Sequence, residues 1–157
     1  MLFRSDLRFA SLLLAFTDMK VKPRTGRRSG CPISIALELF GDSWSLLVIR
    51  DLMFKGLHTF NEFAGSDERI ATNILADRLA KLEAAGILDK RADPADARRV
   101  HYRLTEKGID LAPALVEIVL WATRYEKTDA PPSMIRAMRS HREQFLADVR
   151  ARWVAAA

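Results

Sequence analysis

The sequence holds a single cysteine, Cys31. It cannot close an intramolecular disulfide, which argues against a disulfide-stapled secreted domain and for the cytoplasm. His58, His101 and His141 are scattered without metal-ligand spacing, so no metal site is expected. No apolar run reaches the ~20 residues that span a bilayer, so no membrane partner is expected. A glycine-rich phosphate loop, a nucleophile elbow and a Ser-His-Asp set are also missing. Neither an enzyme nor a cofactor is expected. Acidic residues are in the minority: 20 Asp and Glu against 25 Lys and Arg leave a net charge of +5. That balance favours a polyanionic partner.

What is present suits one globular domain with an appended helical arm. The chain has 157 residues, 49% of them hydrophobic. Arg4 and Arg8 precede the apolar run from Phe9 to Phe16, the outline of a short signal peptide. However, no small-x-small cleavage site follows it. We read residues 1–18 as a short amphipathic helix or an early start ahead of Met19, and as dispensable. Lys20 to Gly30 is basic and rich in Gly, Pro and Ser, the composition of a flexible arm. The expected division is an arm over 1–30, one globular domain over 31–108 and helices over 109–157.

Pro32 suits the first turn of a helix carrying Ile33, Leu37 and Phe40, ended by Gly41. Ser43 is the expected cap of a second helix, whose core stripe is Trp44, Leu47, Val48 and Leu52, with Asp51 among them. Gly56 closes it. Thr59 and Glu62 form a capping box for a short third helix, Phe60 to Ala64. A longer helix from about Ile70 to Ala85 buries Ile70, Ile74, Leu75, Leu79 and Leu82, and Gly86 stops it. Two short strands follow, Ile87 to Arg91 and an alternating Val100 to Leu104, joined by a charged turn. One long helix from Thr105 towards Tyr125, broken at Pro131-Pro132, and a last helix from Ser133 to about Trp153 complete the chain. The fold class is mainly α with a small β-hairpin: a winged helix-turn-helix with C-terminal dimerisation helices.

A short helix, a turn, a longer helix and a hairpin is the layout that enters a DNA major groove. Opposite the apolar stripe of the longer helix lie Ala71, Thr72, Asn73, Ala76, Asp77 and Ala80. Asn73 suits paired hydrogen bonds to adenine, and the alanines allow close approach to a thymine methyl. Arg69 and Arg78 are placed to reach phosphates. Arg98 and Arg99 near the hairpin tip suit the minor groove or its phosphate edge. Charge between Arg69 and Lys107 is mixed, which leaves open a winged-helix protein-interaction module that does not bind DNA specifically.

Leu111, Leu115, Ile118, Val119, Ala122 and Tyr125, with Trp121, form an apolar surface larger than so small a core needs. Its expected use is dimerisation, which sets half-site spacing. The basic amphipathic last helix is placed to complete the dimer or to cover a small-molecule pocket, and Phe54, Phe60 and Phe63 are assigned to the DNA-binding core rather than to such a pocket.

Three stretches together resemble the HxlR-type, MarR-like winged helix-turn-helix regulators: Cys31-Pro32, the run from Gly41 to Leu52, and Phe60-Asn61-Glu62-Phe63. Ile74 to Leu82, Gly86-Ile87-Leu88 and Val100 to Gly108 extend the likeness to about residues 31–125. The resemblance implies a homodimer on a pseudo-palindromic operator in double-stranded DNA, a repressor by default. It implies a recognition helix over 70–82 and a wing over 87–104. It also implies oxidant or electrophile sensing at Cys31, where Arg27, Arg28 and a helix start favour the thiolate, the alternative being a structural thiol packed beside the helix start. A small-molecule or electrophile effector follows as a possible partner. Asp77 departs from the pattern, because the family commonly carries an uncharged polar or basic residue there.

Overall fold

The computed structural model describes residues 26–93, 96 and 98–156. The reading of residues 1–18, and most of that of the arm, lies outside them. The chain divides between Leu39 and Phe40 into two units. The first contains most of α1 (Pro32–Phe40). Its opening turn forms at Cys31, whose carbonyl accepts from the Ile35 N–H at 2.9 Å. Ahead of it, Arg28 donates from its backbone to Glu38 and from its guanidinium to Ser34. Ile33 and Leu37 are exposed on α1.

The second unit begins with a cap that differs from the expected one. Asp42, not Ser43, accepts the Trp44 and Ser45 N–H groups, at 2.8 and 2.9 Å. Both residue types cap well, and the chain's path selects the carboxylate. Helix α2 (Ser45–Arg50) runs into one π-helical turn, Asp51–Lys55, which Gly56 ends in the left-handed region at φ 69°. Asp51 is buried on the core side, where Arg50 grips one carboxylate oxygen through Nε at 2.8 Å and Nη2 at 2.7 Å. A buried carboxylate requires such a partner.

Helix α3 (Phe60–Ala64) has both halves of its capping box, between Thr59 and Glu62. Helix α4 (Thr72–Ala84) starts two residues later than expected. The Ile87 N–H reaches the Leu82 carbonyl and the Gly86 N–H the Glu83 carbonyl, a Schellman ending with Gly86 at φ 66°. Strands β1 (Leu88–Ala92) and β2 (Val100–Leu104) pair antiparallel, Leu88 opposite Leu104 and Ala92 opposite Val100. A bridge from Thr59 to His101 fixes this hairpin to the start of α3. The alternation expected of β2 is not a buried-exposed one. Val100 to Arg103 are all half-buried, because neighbours cover both faces.

The expected single helix after the wing is two: α5 (Glu106–Ile109) and α6 (Ala112–Tyr125). Pro113 has no N–H for the Ile109 carbonyl, so the helix restarts with Pro113 in its first turn. The expected last helix is also two, α7 (Pro132–Ser140), opened by Pro132 instead of a Ser133 cap, and α8 (Arg142–Ala155). His141 separates them at φ −131°, ψ 42°. Helix α8 folds back on the wing. Trp153 donates from Nε1 to the Leu104 carbonyl, and Arg103 donates to the Trp153 carbonyl, both at 2.7 Å. The core collects Ile49, Phe63, Leu75, Leu82, Ile87, Leu88 and Val116, all at or below 1% exposure. Phe54 is not with them. It meets Phe145 of α8, ring centroids 6.1 Å apart. Among the described residues no single helix is long and apolar enough to cross a membrane.

Candidate nucleic-acid interface

Helix α4 is divided lengthwise. Ile70, Leu75, Leu79 and Leu82 hold one side in the core, and Ala71, Thr72, Asn73, Ala76, Asp77 and Ala80 are exposed on the other. Arg69, just before it, is exposed with its backbone in the left-handed region at φ 51°. These are the positions named from sequence for base and phosphate contact, and the fold brings them together on one element.

Arg78 is turned differently. Its guanidinium pairs with Asp42 at 3.0 Å and Asp77 at 2.7 Å. Asp77 also receives Lys81 at 3.0 Å. That hydrogen bond, with the charges of Lys81 and Arg78, holds the Asp77 carboxyl below the usual carboxylate range. The acid on this face is thus locally compensated, which reduces its repulsion of phosphate.

Asp42 was not singled out from sequence, although it lies inside the Gly-Asp-Ser-Trp segment. It caps α2 and anchors Arg78 of α4, so it ties the start of α2 to the longer helix of the motif. Partial burial pushes its carboxyl up. Hydrogen bonds from the Ser45 hydroxyl, the Trp44 and Ser45 N–H groups and Arg78 outweigh this and hold its pKa at about 2. A folded-state value below the ordinary 3.8 gives stability that is present above that pH. It is lost as pH falls through the folded value. Asp42→Asn should therefore flatten the loss of thermal stability between about pH 4 and pH 2, read from melting curves across that range. An unchanged pH slope in the variant would contradict the assignment.

On the wing, the Arg98 and Arg99 side chains are 93% and 73% exposed. Among the described residues their side chains pair with Asp96, at 3.3 and 3.9 Å. Exposed pairs of this kind contribute about 0–1 kcal/mol, so little holds the arginines from a phosphate. Lys107 donates to the Ala85 carbonyl at the C-terminal end of α4, a cation where the helix dipole favours one.

The seven residues named for dimerisation do not share one face. Leu115 is buried within the chain beside Ala112 and Val116, and Leu111, Val119 and Ala122 are half-buried. Ile118, Trp121 and Tyr125 are exposed at 48%, 62% and 61%. The Trp121 and Tyr125 rings touch at 5.7 Å between centroids. A helix apolar on two sides gives a periodicity that does not say which side the monomer uses. Cys31 is half-buried at the start of α1, its N–H donating to Ser29 Oγ. Among the described residues no three His, Cys, Asp or Glu side chains are grouped as metal ligands.

A helix-turn-helix followed by a two-stranded wing and helical arms defines a winged-helix transcription factor. Residues 39–130 match the family model described as HxlR-like helix-turn-helix, and the chain belongs to that family of transcriptional regulators. It is 34% identical over 119 residues to the uncharacterized HTH-type transcriptional regulator Rv3095 of Mycobacterium tuberculosis, covering 75% of this chain and 74% of the relative. It is similar to the crystal structure of PA1607, with TM-score 0.59 and 38% identity over 66% of this chain and 71% of the other. The redox regulator HypR in its oxidized form is also similar, with TM-score 0.55 and 28% identity over 62% of this chain and all of that one.

Proposed function

We propose that the protein is a sequence-specific repressor. It works in the cytoplasm as a homodimer on a pseudo-palindromic operator in double-stranded DNA. The observation that carries this reading is the division of α4, with leucines locked in the core and Thr72, Asn73, Ala76 and Ala80 bare on the other side. Thr72 and Asn73 read base edges, Ala71, Ala76 and Ala80 allow the helix to sit deep, and Arg69 holds a phosphate. Asp77 accepts from a cytosine amino group, and Arg78 supports it. Arg98 and Arg99 lie along the minor groove or its phosphates. The exposed Ile118, Trp121 and Tyr125 meet their copies in a twin subunit, and repression follows from occupying the promoter.

Two substitutions separate the contact classes. Asn73→Ala should cost about 1–3 kcal/mol on the operator and relax preference at one base pair. Arg99→Ala should weaken operator and scrambled duplex alike and lower the salt slope by about one. Fluorescence anisotropy across a salt series reads both. If neither variant changes DNA binding, the interface is misplaced.

The likeness to HypR supports a second role for Cys31. An oxidant or electrophile would modify it as an adduct or join two subunits by a disulfide, releasing the operator. Diamide should then lower the DNA affinity of the protein and leave Cys31→Ser unaffected. Equal sensitivity of the two would remove the cysteine from the account.

A further inference from the structure

Away from α4, a cavity of about 250 Å³ lies where the π-helical turn, β2, α5 and α8 meet. Its walls are apolar: Leu52, Phe54, Leu104, Ile109 and Trp153 are among them. Its charged groups are all basic, with Lys55, Arg103 and Arg152 on the lining and no Asp or Glu. Lys55 is already paired, with Asp51 and Asp67. The other two are not.

Arg103 lies over the Trp153 ring at 4.8 Å and donates one hydrogen bond, to the Trp153 carbonyl. No carboxylate among the described residues pairs with it, and its Nε is buried without a hydrogen-bond partner. Arg152 forms no ion pair or side-chain hydrogen bond among the described residues. A half-buried guanidinium with an unused donor has its strongest complement in a carboxylate, which accepts from it in a charge-assisted bond. The apolar walls require the rest of the molecule to be hydrophobic. The volume falls below the ~300–1,000 Å³ typical of drug-sized ligands, so the occupant is small.

We propose that this cavity is a binding site for a small apolar monocarboxylate, its carboxylate held by Arg103 and Arg152 and its body against Phe54, Leu104 and Trp153. The site lies between a wing strand and the C-terminal arm, which the Arg103–Trp153 and Trp153–Leu104 hydrogen bonds join. The proposal does not depend on the DNA-binding reading.

Isothermal titration of the full chain with benzoate tests it, with benzamide as the uncharged control. Benzoate should saturate one site per chain, and benzamide should bind at least about tenfold more weakly, the worth of a charge-assisted hydrogen bond. Arg152→Gln should weaken benzoate several-fold. Ala156→Trp, which fills the mouth from an exposed position, should abolish binding while the melting temperature holds. No saturable binding at millimolar benzoate, equal binding of benzamide, or unchanged binding by the Ala156→Trp protein would overturn the proposal. No DNA is present in this titration, so its failure would leave the proposed operator contacts standing.

Discussion

Trp121→Glu should turn the proposed dimer into a monomer and weaken operator binding by about 10²–10⁴-fold, the gain that joining two binding modules supplies. Trp121 is 62% exposed in the protomer and touches Tyr125, with Ile118 one turn away. Large aromatic side chains dominate interface energetics when a partner buries them. A glutamate there places a charge in the apolar centre of each half of a two-fold interface, so the two meet as like charges. The protomer core is on the other side of α6, at Leu115 and Val116, so the fold should survive. Analytical ultracentrifugation and an anisotropy titration read mass and affinity together. A variant that stays dimeric would move the interface elsewhere.

Gly108→Ala should destabilise the fold by about 3 kcal/mol, the upper part of the usual range for overpacking. A Cβ at Gly108 would stand 2.1 Å from the Ile87 carbonyl oxygen and 3.0 Å from Leu104 Cδ2. The first neighbour is backbone and cannot swing away. That same carbonyl accepts the Thr105 N–H at 3.0 Å, so a shift to relieve the clash would break the bond that joins α5 to the start of β1. Thr105 Oγ1 adds bonds to the Gly86 and Ile87 carbonyls. Glycine is needed here for close approach, not for a left-handed backbone. Urea denaturation of both proteins measures the loss, and a change below about 1 kcal/mol would show that the junction yields easily.

Local signals carried much of this structure in the sequence. The Thr59–Glu62 capping box, the stops at Gly56 and Gly86, the hairpin pairing and the leucine stripe of α4 each depend on residues within one or two turns. The exposed face of α4 follows directly from that stripe. Some misses depend on partners remote in sequence, and others on local rules that a stronger local signal masked. Pro113 forbids a continuous helix through Leu111 by its missing N–H, a local rule that the strong apolar periodicity masked. The pairing of Arg78 with Asp42 is not legible locally, because the two lie 36 positions apart in sequence. Phe54 was assigned to the core because nothing near it announces Phe145. The break at His141 has no local cause in the sequence. Which side of α6 faces inward was undecidable from periodicity, since both sides are apolar.

If the proposed function is right, α4 and the wing read a specific duplex. The most direct measurement is anisotropy with the promoter DNA beside the protein's own gene and a scrambled duplex, over a salt series. The account predicts tight binding that prefers the promoter, at two chains per duplex, with affinity falling steeply as salt rises. Weak binding that is equal for promoter, scrambled duplex and a wider set of genomic fragments would contradict it. It would point instead to a winged helix that serves a protein partner.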